Sequence, residues 1–331
     1  MNGDVNKIGI DSRAYVPNFV AQGKRFSSKK EVLTQKVIYV YCPRDRELEI
    51  GAIIDDYSFD IVLNDYEIVE LDGKVICHFE SARLESWERK FLVKATELGA
   101  WVEPLVSYLD SRLGYTEVRL LHSSYFLHQK AFSILSSKDT QLAKRVVDVF
   151  SAFLLLLLSF PIILITAVAI KIETRGPVFY KQKRTGQYNV EFNVVKFRSM
   201  SIDAEVGGAR WAVKNDSRVT RVGKFIRKTR IDELPQIINI LKGEMSIVGP
   251  RPEREVFITD LEKTIPYYRF RHAVKPGVTG LAQVSYPYGA SVEDATWKHK
   301  YDIFYIKHHS FWLDVRILIR TVKVVLFGMG R

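Results

Sequence analysis

VFSAFLLLLLSFPIILITAVAI, residues 149–170, is a run of 22 consecutive positions without a charge, with LLLLL at 154–158. About 20 apolar residues are enough for a helix to cross the hydrocarbon layer of a bilayer, so this stretch divides the chain and sets its relation to a membrane. Ser159, Phe160 and Pro161 stand at its centre. A proline there removes one ladder hydrogen bond and crowds the preceding turn, which permits a sharp bend. Lys144 and Arg145 precede the run and Lys171 and Arg175 follow it, so the basic flanks are even and select no inside. These residues leave two topologies open. A straight crossing separates residues 1–140 from 176–331, because no second apolar run of this length follows. A helix that enters, bends at Ser159–Pro161 and returns keeps both segments on one face.

Charge is divided at the same place. Residues 1–140 carry 18 Lys+Arg against 21 Asp+Glu, a net −3, and residues 141–331 carry 31 against 17, a net +14, which sum to +11. The basic half calls for an acidic partner: nucleic acid, anionic lipid or a phosphorylated substrate. Cys42 and Cys77 are the only cysteines and form no C-x-x-C pair. That argues against a disulfide framework or a cysteine zinc site and fits a reducing compartment. The opening MNGDVNKIGIDSRAYVPNF lacks the basic-then-apolar pattern of a secretory leader.

Residues 1–35 are polar, with a Lys/Arg/Ser cluster at 24–30. KVIYVYC (36–42) and FDIVLN (59–64) read as short buried strands rich in β-branched and aromatic residues. Leu84, Trp87, Phe91, Ala95 and Leu98 fall on one face of a helix over 84–99, and a second helical pattern over 101–113 stops at Gly114. No G-x-G-x-x-G follows either strand, so a dinucleotide site is not supported. The segment 36–140 reads as a small α/β domain without visible chemistry, in which His122 and His128 are ordinary surface or core residues.

RIDELPQ, residues 230–236, places the adjacent carboxylates Asp232 and Glu233 behind Arg218, Arg221, Lys224, Arg227, Lys228 and Arg230. Apolar residues at 234, 237, 238 and 241 have helical spacing. Pro235 is tolerable only in a first turn, which puts the helix start near Asp232. Carboxylates there lie in the helix's positive field, which favours the ionised form and also attracts phosphate. Such a group can act as a nucleophile or a Mg²⁺ ligand; equally, it can be a capping aspartate beside a solvated basic face.

Around this stretch, EFNVVKFRSM (191–200) reads as a strand carrying Lys196 and Arg198, and 201–217, with Gly207 and Gly208, as a loop. MSIVGPRPE (245–253) forces a turn that presents Arg251. HAVKPGVTGLAQVSYPYG (272–289) sets Lys275 beside glycines that allow a backbone to approach a ligand closely, and the loop is either merely a turn or a holder of phosphate through N–H groups. Trp297, Tyr301, Phe304, Tyr305 and His308 form one helical stripe, followed by Phe311 and Trp312. Arg316, Arg320 and Lys323 share a face of an otherwise apolar helix over 315–327, the pattern of a helix in the headgroup region. His308–His309 lacks a second ligand cluster and reads as solvated.

Taken in order, the apolar segment, Lys196, RIDELPQ, VGPRP and KPGVTG resemble the bacterial sugar transferase family over residues 142–331. KNDSRVTRVGKFIRKTRIDELPQ and SYPYGASVEDA bring the chain near the exosortase- and exopolysaccharide-associated subgroup. The resemblance implies a monotopic phosphoglycosyl transferase that moves a sugar-1-phosphate from a UDP-sugar to undecaprenyl (polyprenyl) phosphate. In fold terms it implies an α/β N-terminal domain, degenerate and Rossmann-like, ahead of a mostly α, membrane-embedded domain with a re-entrant helix. The corresponding segments are 1–35, 36–140, 141–175 (helix, break, helix) and 176–331.

Asp232 matches the attacking aspartate, which forms a phosphosugar–enzyme intermediate and releases UMP. Glu233 matches its partner, and the resemblance implicates both in binding Mg²⁺. Lys196, Arg227 and Arg251 match basic residues near the diphosphate, Lys275 the basic residue before the P-G-[IV]-T-G turn, and Asp302 an acidic active-site position; all five are implied to bind substrate. Ser159 and Pro161 match the membrane break, which implies the hairpin topology. The implied location is the cytoplasmic face of the bacterial inner membrane, with membrane lipids, other glycan-assembly proteins and a second copy of the chain as partners. Three positions depart from the family pattern: Phe160 separates Ser159 from Pro161, Leu281 replaces the usual aromatic, and Ser285 the usual asparagine. The alternatives are a non-enzymatic membrane scaffold for polysaccharide assembly, and a tethered nucleic-acid binder, for which no recognition motif is present.

Overall fold

Val37–Tyr41 (β1), VIYVY, has the β-branched and aromatic content of a strand buried on both faces, and it lies inside a parallel sheet. The computed structural model describes residues 37–57, 59–127, 132–135, 137–204, 216–287, 289 and 291–327. The expectations for 1–35, His128, Gly207 and Gly208 fall outside these residues. Two units divide after Leu120.

In the first unit, Glu47–Asp55 (α1), Asp60–Leu63 (β2), Val75–His78 (β3), Ser86–Glu97 (α2), Trp101–Pro104 (β4) and Leu105–Leu113 (α3) follow β1. All four strands are parallel, in the order β2-β1-β3-β4. α2 starts with a reciprocal capping box between Glu85 and Glu88, and it packs Leu92 and Ala95 against Tyr41 and Ile76. Its inward stripe differs from the expected one, because Trp87 and Leu98 are exposed. The helix expected over 101–113 is also corrected. Residues 101–104 pair with β3, and only from Leu105 does the chain coil, ending at a left-handed Gly114 as expected. Pro104 is extended and separates the two, since a proline suits the end of a strand or the start of a helix.

The second unit contains Ser123–Leu127 (α4), Lys138–Glu173 (α5), Phe179–Thr185 (β5), Glu191–Phe197 (β6), Arg221–Lys228 (α6), Ile237–Lys242 (α7), Ser246–Val248 (β7), Glu255–Leu261 (α8), Gly277–Thr279 (β8), Leu281–Ser285 (α9), Val292–His308 (α10) and Phe311–Phe327 (α11). α5 is 36 residues long, and its length and composition are sufficient to cross a membrane. It stays helical through Pro161, and two residues earlier the Ser159 hydroxyl donates to Leu155 O at 2.6 Å.

One narrow stripe of α5 is packed against the unit. Asp148, Ala152, Ser159, Thr166 and Ile170 are buried, and Leu156, Ile163 and Ala167 fill the gaps at helical spacing. Phe150, Phe153, Leu157, Leu158, Phe160 and Ile165 are exposed on the remaining faces. Both ends of α5 are tied to the same unit. At the start, Lys144 pairs with Asp314 at 2.7 Å, Arg145 donates to the carbonyls of Ile240 and Leu241, and Asp148 accepts from Ser246 Oγ and Ile247 N–H. At the end, Arg198 donates to the carbonyls of Thr174 and Arg175, and Glu173 accepts from the N–H groups of Arg221 and Val222. Those contacts satisfy carbonyls leaving one helix and N–H groups entering the next.

α10 carries the aromatic stripe inward. Tyr301, Phe304 and Tyr305 are buried, as are the intervening Asp302 and Ile303, so this aromatic stripe belongs to the core rather than to a lipid-facing surface. α11 keeps the amphipathic form. It buries Leu313 and Ile317 and exposes Phe311, Trp312, Ile319 and Val322.

Candidate active site

β5 and β6 form an antiparallel hairpin that sets Lys196 opposite Tyr180. Asn239 on α7 fixes this hairpin to the helix beside it. Its side chain accepts from Val195 N–H at 3.0 Å and donates to Asn193 O at 2.8 Å and to Glu244. α6 approaches closely at Gly223, where an added Cβ would stand 2.0 Å from Ser199 O. Arg230, with φ of +59°, then turns the chain from α6 into the next segment, a conformation that costs a non-glycine residue roughly 1–2 kcal/mol.

That next segment, Ile231–Gln236, is a 3₁₀ turn, and the α-helix begins only at Ile237. The expected helix start near Asp232 is thereby corrected. Pro235 lacks an N–H and fits the tighter turn as well as it fits a first α-turn. The consequence is electrostatic. Burial and the neighbouring Glu233 charge push the Asp232 carboxyl up to about 6, against the downward pull of Lys196, Arg227 and Arg230. The helix field does not dominate here, contrary to the sequence-based expectation.

Glu233 is buried, and burial alone would raise its carboxyl. Arg251 and Lys196 reverse that and hold it well below the usual carboxylate range. Both cations meet one oxygen: Arg251 Nη2 lies 2.7 Å and Lys196 Nζ 3.2 Å from Glu233 Oε1. Lys196 itself is pushed down by burial and by the Arg251 and Arg184 charges, with Glu233 and Asp232 opposing. Among the described residues, the Asp232 side chain has neither a hydrogen bond nor an ion pair. The arrangement is therefore an uncommitted carboxylate beside a carboxylate fully engaged by cations.

Asp232, Glu233, Lys196, Arg227 and Arg251 come together as expected; the other two expected substrate residues lie apart. Asp302 is 1% exposed and paired at 2.7 Å with Arg271. Burial, with Glu253 nearby, pushes its carboxyl up to about 6 despite Arg271 and Lys298. Arg271 in turn donates to Arg251 O at 3.0 Å, so Asp302 reaches the site through the backbone of the Arg251 turn. Lys275 lies beside Arg145 and Asp148.

The glycines of VGPRP and KPGVTG pack against one another. They let two backbones cross: an added Cβ on Gly277 would stand 2.1 Å from Gly249 N, and one on Gly280 would stand 2.2 Å from Gly249 O. Gly249 N–H donates to Thr279 O and Gly277 N–H to Pro250 O, so neither is available to cradle phosphate. Arg184 escaped the sequence reading. It lies against Pro252 O and Glu253 and contributes its charge at Lys196. Its signal was the period of two along FYKQKRT, which sets Tyr180, Gln182 and Arg184 on one face of β5.

This geometry, two carboxylates in a basic cleft beside a long apolar helix, coincides with a match to known proteins. The profile of the family described as bacterial sugar transferase covers residues 139–328. The chain belongs to that family. It is a phosphoglycosyl transferase.

Among this transferase's relatives is the UDP-N-acetylgalactosamine-undecaprenyl-phosphate N-acetylgalactosaminephosphotransferase of Aeromonas hydrophila. It is 37% identical over 316 residues, 93% of this chain and 70% of that protein. A UDP-glucose:undecaprenyl-phosphate glucose-1-phosphate transferase of Caulobacter vibrioides is 42% identical over 234 residues, 69% of this chain and 88% of that protein. The enzyme of that name from Xanthomonas campestris pv. campestris is 46% identical over 187 residues, 56% of this chain but only 39% of its own length.

Proposed function

We propose that this transferase moves a sugar-1-phosphate from a UDP-sugar to undecaprenyl phosphate through a covalent intermediate on Asp232, starting synthesis of a membrane-linked exopolysaccharide. The observation that carries the reading is the uncommitted Asp232 carboxylate beside Glu233, Lys196 and Arg251. An Asp232 oxygen attacks the β-phosphorus of the UDP-sugar, the phosphoanhydride bond breaks, and UMP leaves with the electron pair. A phosphate oxygen of the polyprenyl acceptor then attacks the same phosphorus and restores the carboxylate. Both substrates are anions, so cations must offset their repulsion of the nucleophile, and Lys196, Arg227, Arg251 and Arg184 stand where they can do so. With its carboxyl at about 6, Asp232 is roughly 90% ionised at neutral pH and more basic than an ordinary aspartate.

Mg²⁺ fits the donor set. It commonly takes one or two carboxylates and leaves its other positions to water and substrate phosphates. Asp232 and the Oε2 atom of Glu233 are the candidate donors, while Oε1 is held by the two cations. The ion would neutralise charge on the diphosphate.

The topology we favour is re-entrant, with both units on the cytoplasmic face of the inner membrane. It is supported by the packed stripe along α5 and by the attachment of both helix ends to one unit. An aqueous domain cannot line both ends of a straight transmembrane span. The parallel α/β sheet of the first unit fits a reduced Rossmann-like domain.

UMP release from a panel of UDP-sugars, with undecaprenyl phosphate and Mg²⁺, tests the reaction and identifies the sugar. Intact-mass detection of a phosphosugar adduct that is absent in Asp232→Asn tests the intermediate. Full turnover by Asp232→Asn would overturn the assignment. Cysteine labelling on both sides of α5 tests the topology, with low background because Cys42 and Cys77 are buried; opposite accessibility would sink the hairpin.

A further inference from the structure

Arg145 and Lys275 converge on Gly243, at the end of α7 away from Asp232. A Cβ built on Gly243 would stand 3.5 Å from Arg145 Nη2 and 3.7 Å from Lys275 Nζ. Gly243 adopts φ of +87°, as the left-handed cap of α7 requires, and its lack of a side chain lets both cationic side chains come close to its Cα. Arg145 is anchored there by donating to Ile240 O at 2.6 Å and Leu241 O at 2.9 Å. Lys275 makes no hydrogen bond or ion pair among the described residues.

Asp148 is the carboxylate beside these cations, and it is held in place by neutral donors. Asp148 Oδ1 accepts from Ser246 Oγ and Ile247 N–H, both at 3.0 Å. Asp148 supplies one negative charge against those of Arg145 and Lys275, so the cluster stays net positive and favours an added anion. Burial and the Arg145 charge both push the Lys275 ammonium down, with Asp148 opposing. Lys242, exposed just before Gly243, adds a third positive charge to the rim.

The apolar surface of α5 begins at this place. Val146 follows Arg145 directly, and Val146, Phe150 and Phe153 are exposed. An anion between Arg145 and Lys275 would therefore sit at headgroup depth, with apolar chains able to lie along the helix. From Asp232 to Gly243 the chain is helical, five steps of 3₁₀ and six of α-helix, about 19 Å if straight at about 2.0 and 1.5 Å per residue. Gly243 thus stands at the opposite end of this segment from Asp232.

We propose that Arg145 and Lys275 form a second anion site, distinct from the catalytic cleft, which holds the phosphodiester headgroup of an anionic membrane lipid. This rests on the reading that α5 lies in the membrane.

The test uses the full chain in detergent micelles and measures lipid retention by native mass spectrometry, a readout that needs no turnover. Phosphatidylglycerol is titrated against phosphatidylcholine, inorganic phosphate and undecaprenyl phosphate. The wild type should retain phosphatidylglycerol preferentially. Lys275→Gln should weaken that retention about fivefold, the usual contribution of one basic residue at a membrane surface, and Lys275→Arg should restore it. Gly243→Asp, in which aspartate tolerates the left-handed backbone and supplies an internal carboxylate, should also weaken it without removing either cation.

Equal retention by all variants, or no preference over phosphatidylcholine, would overturn the site. Protection by inorganic phosphate at matched concentration would make it a site for a soluble anion. Displacement by undecaprenyl phosphate, with a raised KM for that acceptor in Gly243→Asp, would assign it to the reacting lipid. Absence of every lipid from the wild type would instead sink the membrane reading of α5, leaving the cleft chemistry to its own assays.

Discussion

Asp232→Asn is expected to make the protein more stable while abolishing turnover. Folding moves the Asp232 carboxyl from its ordinary value of 3.8 to about 6. At about 1.36 kcal/mol per decade of proton affinity, keeping that group ionised costs the folded state up to roughly 3 kcal/mol. The sign follows from proton linkage. Between about pH 3.8 and 6 the folded protein binds more protons at this position than the unfolded chain, so stability falls as the pH rises through that window. The cost is absent below it and complete above it. Asparagine is nearly isosteric, removes the charge, and breaks no hydrogen bond among the described residues.

The gain should therefore be near zero at about pH 3.5 and reach its full value near pH 8. For a unit of the size of residues 121–331, about 3 kcal/mol corresponds to roughly 6–12 °C in Tm. Thermal unfolding of both proteins in the same detergent, across that pH range and beside a UMP-release assay, is the measurement. A gain independent of pH, or a loss of stability near pH 8, would refute the claim that the nucleophile is held against its electrostatic preference. Such an opposition between stability and activity is common where a reactive group is desolvated.

Glu233→Gln removes the charge that helps raise Asp232, so the acid limb of the pH–rate profile, expected near 6 in the wild type, should move toward 3.8; an unmoved limb would detach that limb from Asp232. Arg251→Lys should lower kcat/KM by on the order of tenfold, because an ammonium on a different stem cannot reproduce the guanidinium contact with Glu233 Oε1. Arg271→Met leaves the Asp302 carboxylate buried without its cation and should destabilise the protein by about 3–5 kcal/mol at neutral pH, with stability, but not the Arg251 turn, recovered by adding Asp302→Asn; denaturant unfolding and UMP release read the two separately. Gly277→Ala should prevent folding or severely destabilise the protein in an unfolding assay, since its Cβ would enter the Gly249 backbone.

The apolar run and the carboxylate pair were legible in the sequence because each is a local pattern: 22 uncharged residues, and two acids behind six cations. Features set by partners distant in sequence were not. VICH and WVEP are too short for an alternation signal, and they become strands by pairing with β1 and with each other. The glycines of two loops indicated close approach but could not say to what; the answer was each other. Asp302 lies on a helix whose aromatic stripe fits lipid or core equally well, and only burial against Arg271 decides between them. Asp232 was read as ionised by a helix field because the sequence does not distinguish a 3₁₀ turn from an α-turn, nor give the depth of burial.

The polar anchors of α5 are made late during synthesis. Asp148 waits for Ile247, 99 residues downstream, and Lys144 waits for Asp314, 170 residues downstream. At a ribosomal rate of about 5–20 residues per second, those delays are roughly 5–20 s and 9–34 s. During that interval α5 exists without its docking surface, with Asp148 still without its amide and hydroxyl donors. On the re-entrant topology proposed above, the translation interval between α5 and β7 is then the period in which the bilayer, rather than the second unit, holds the helix.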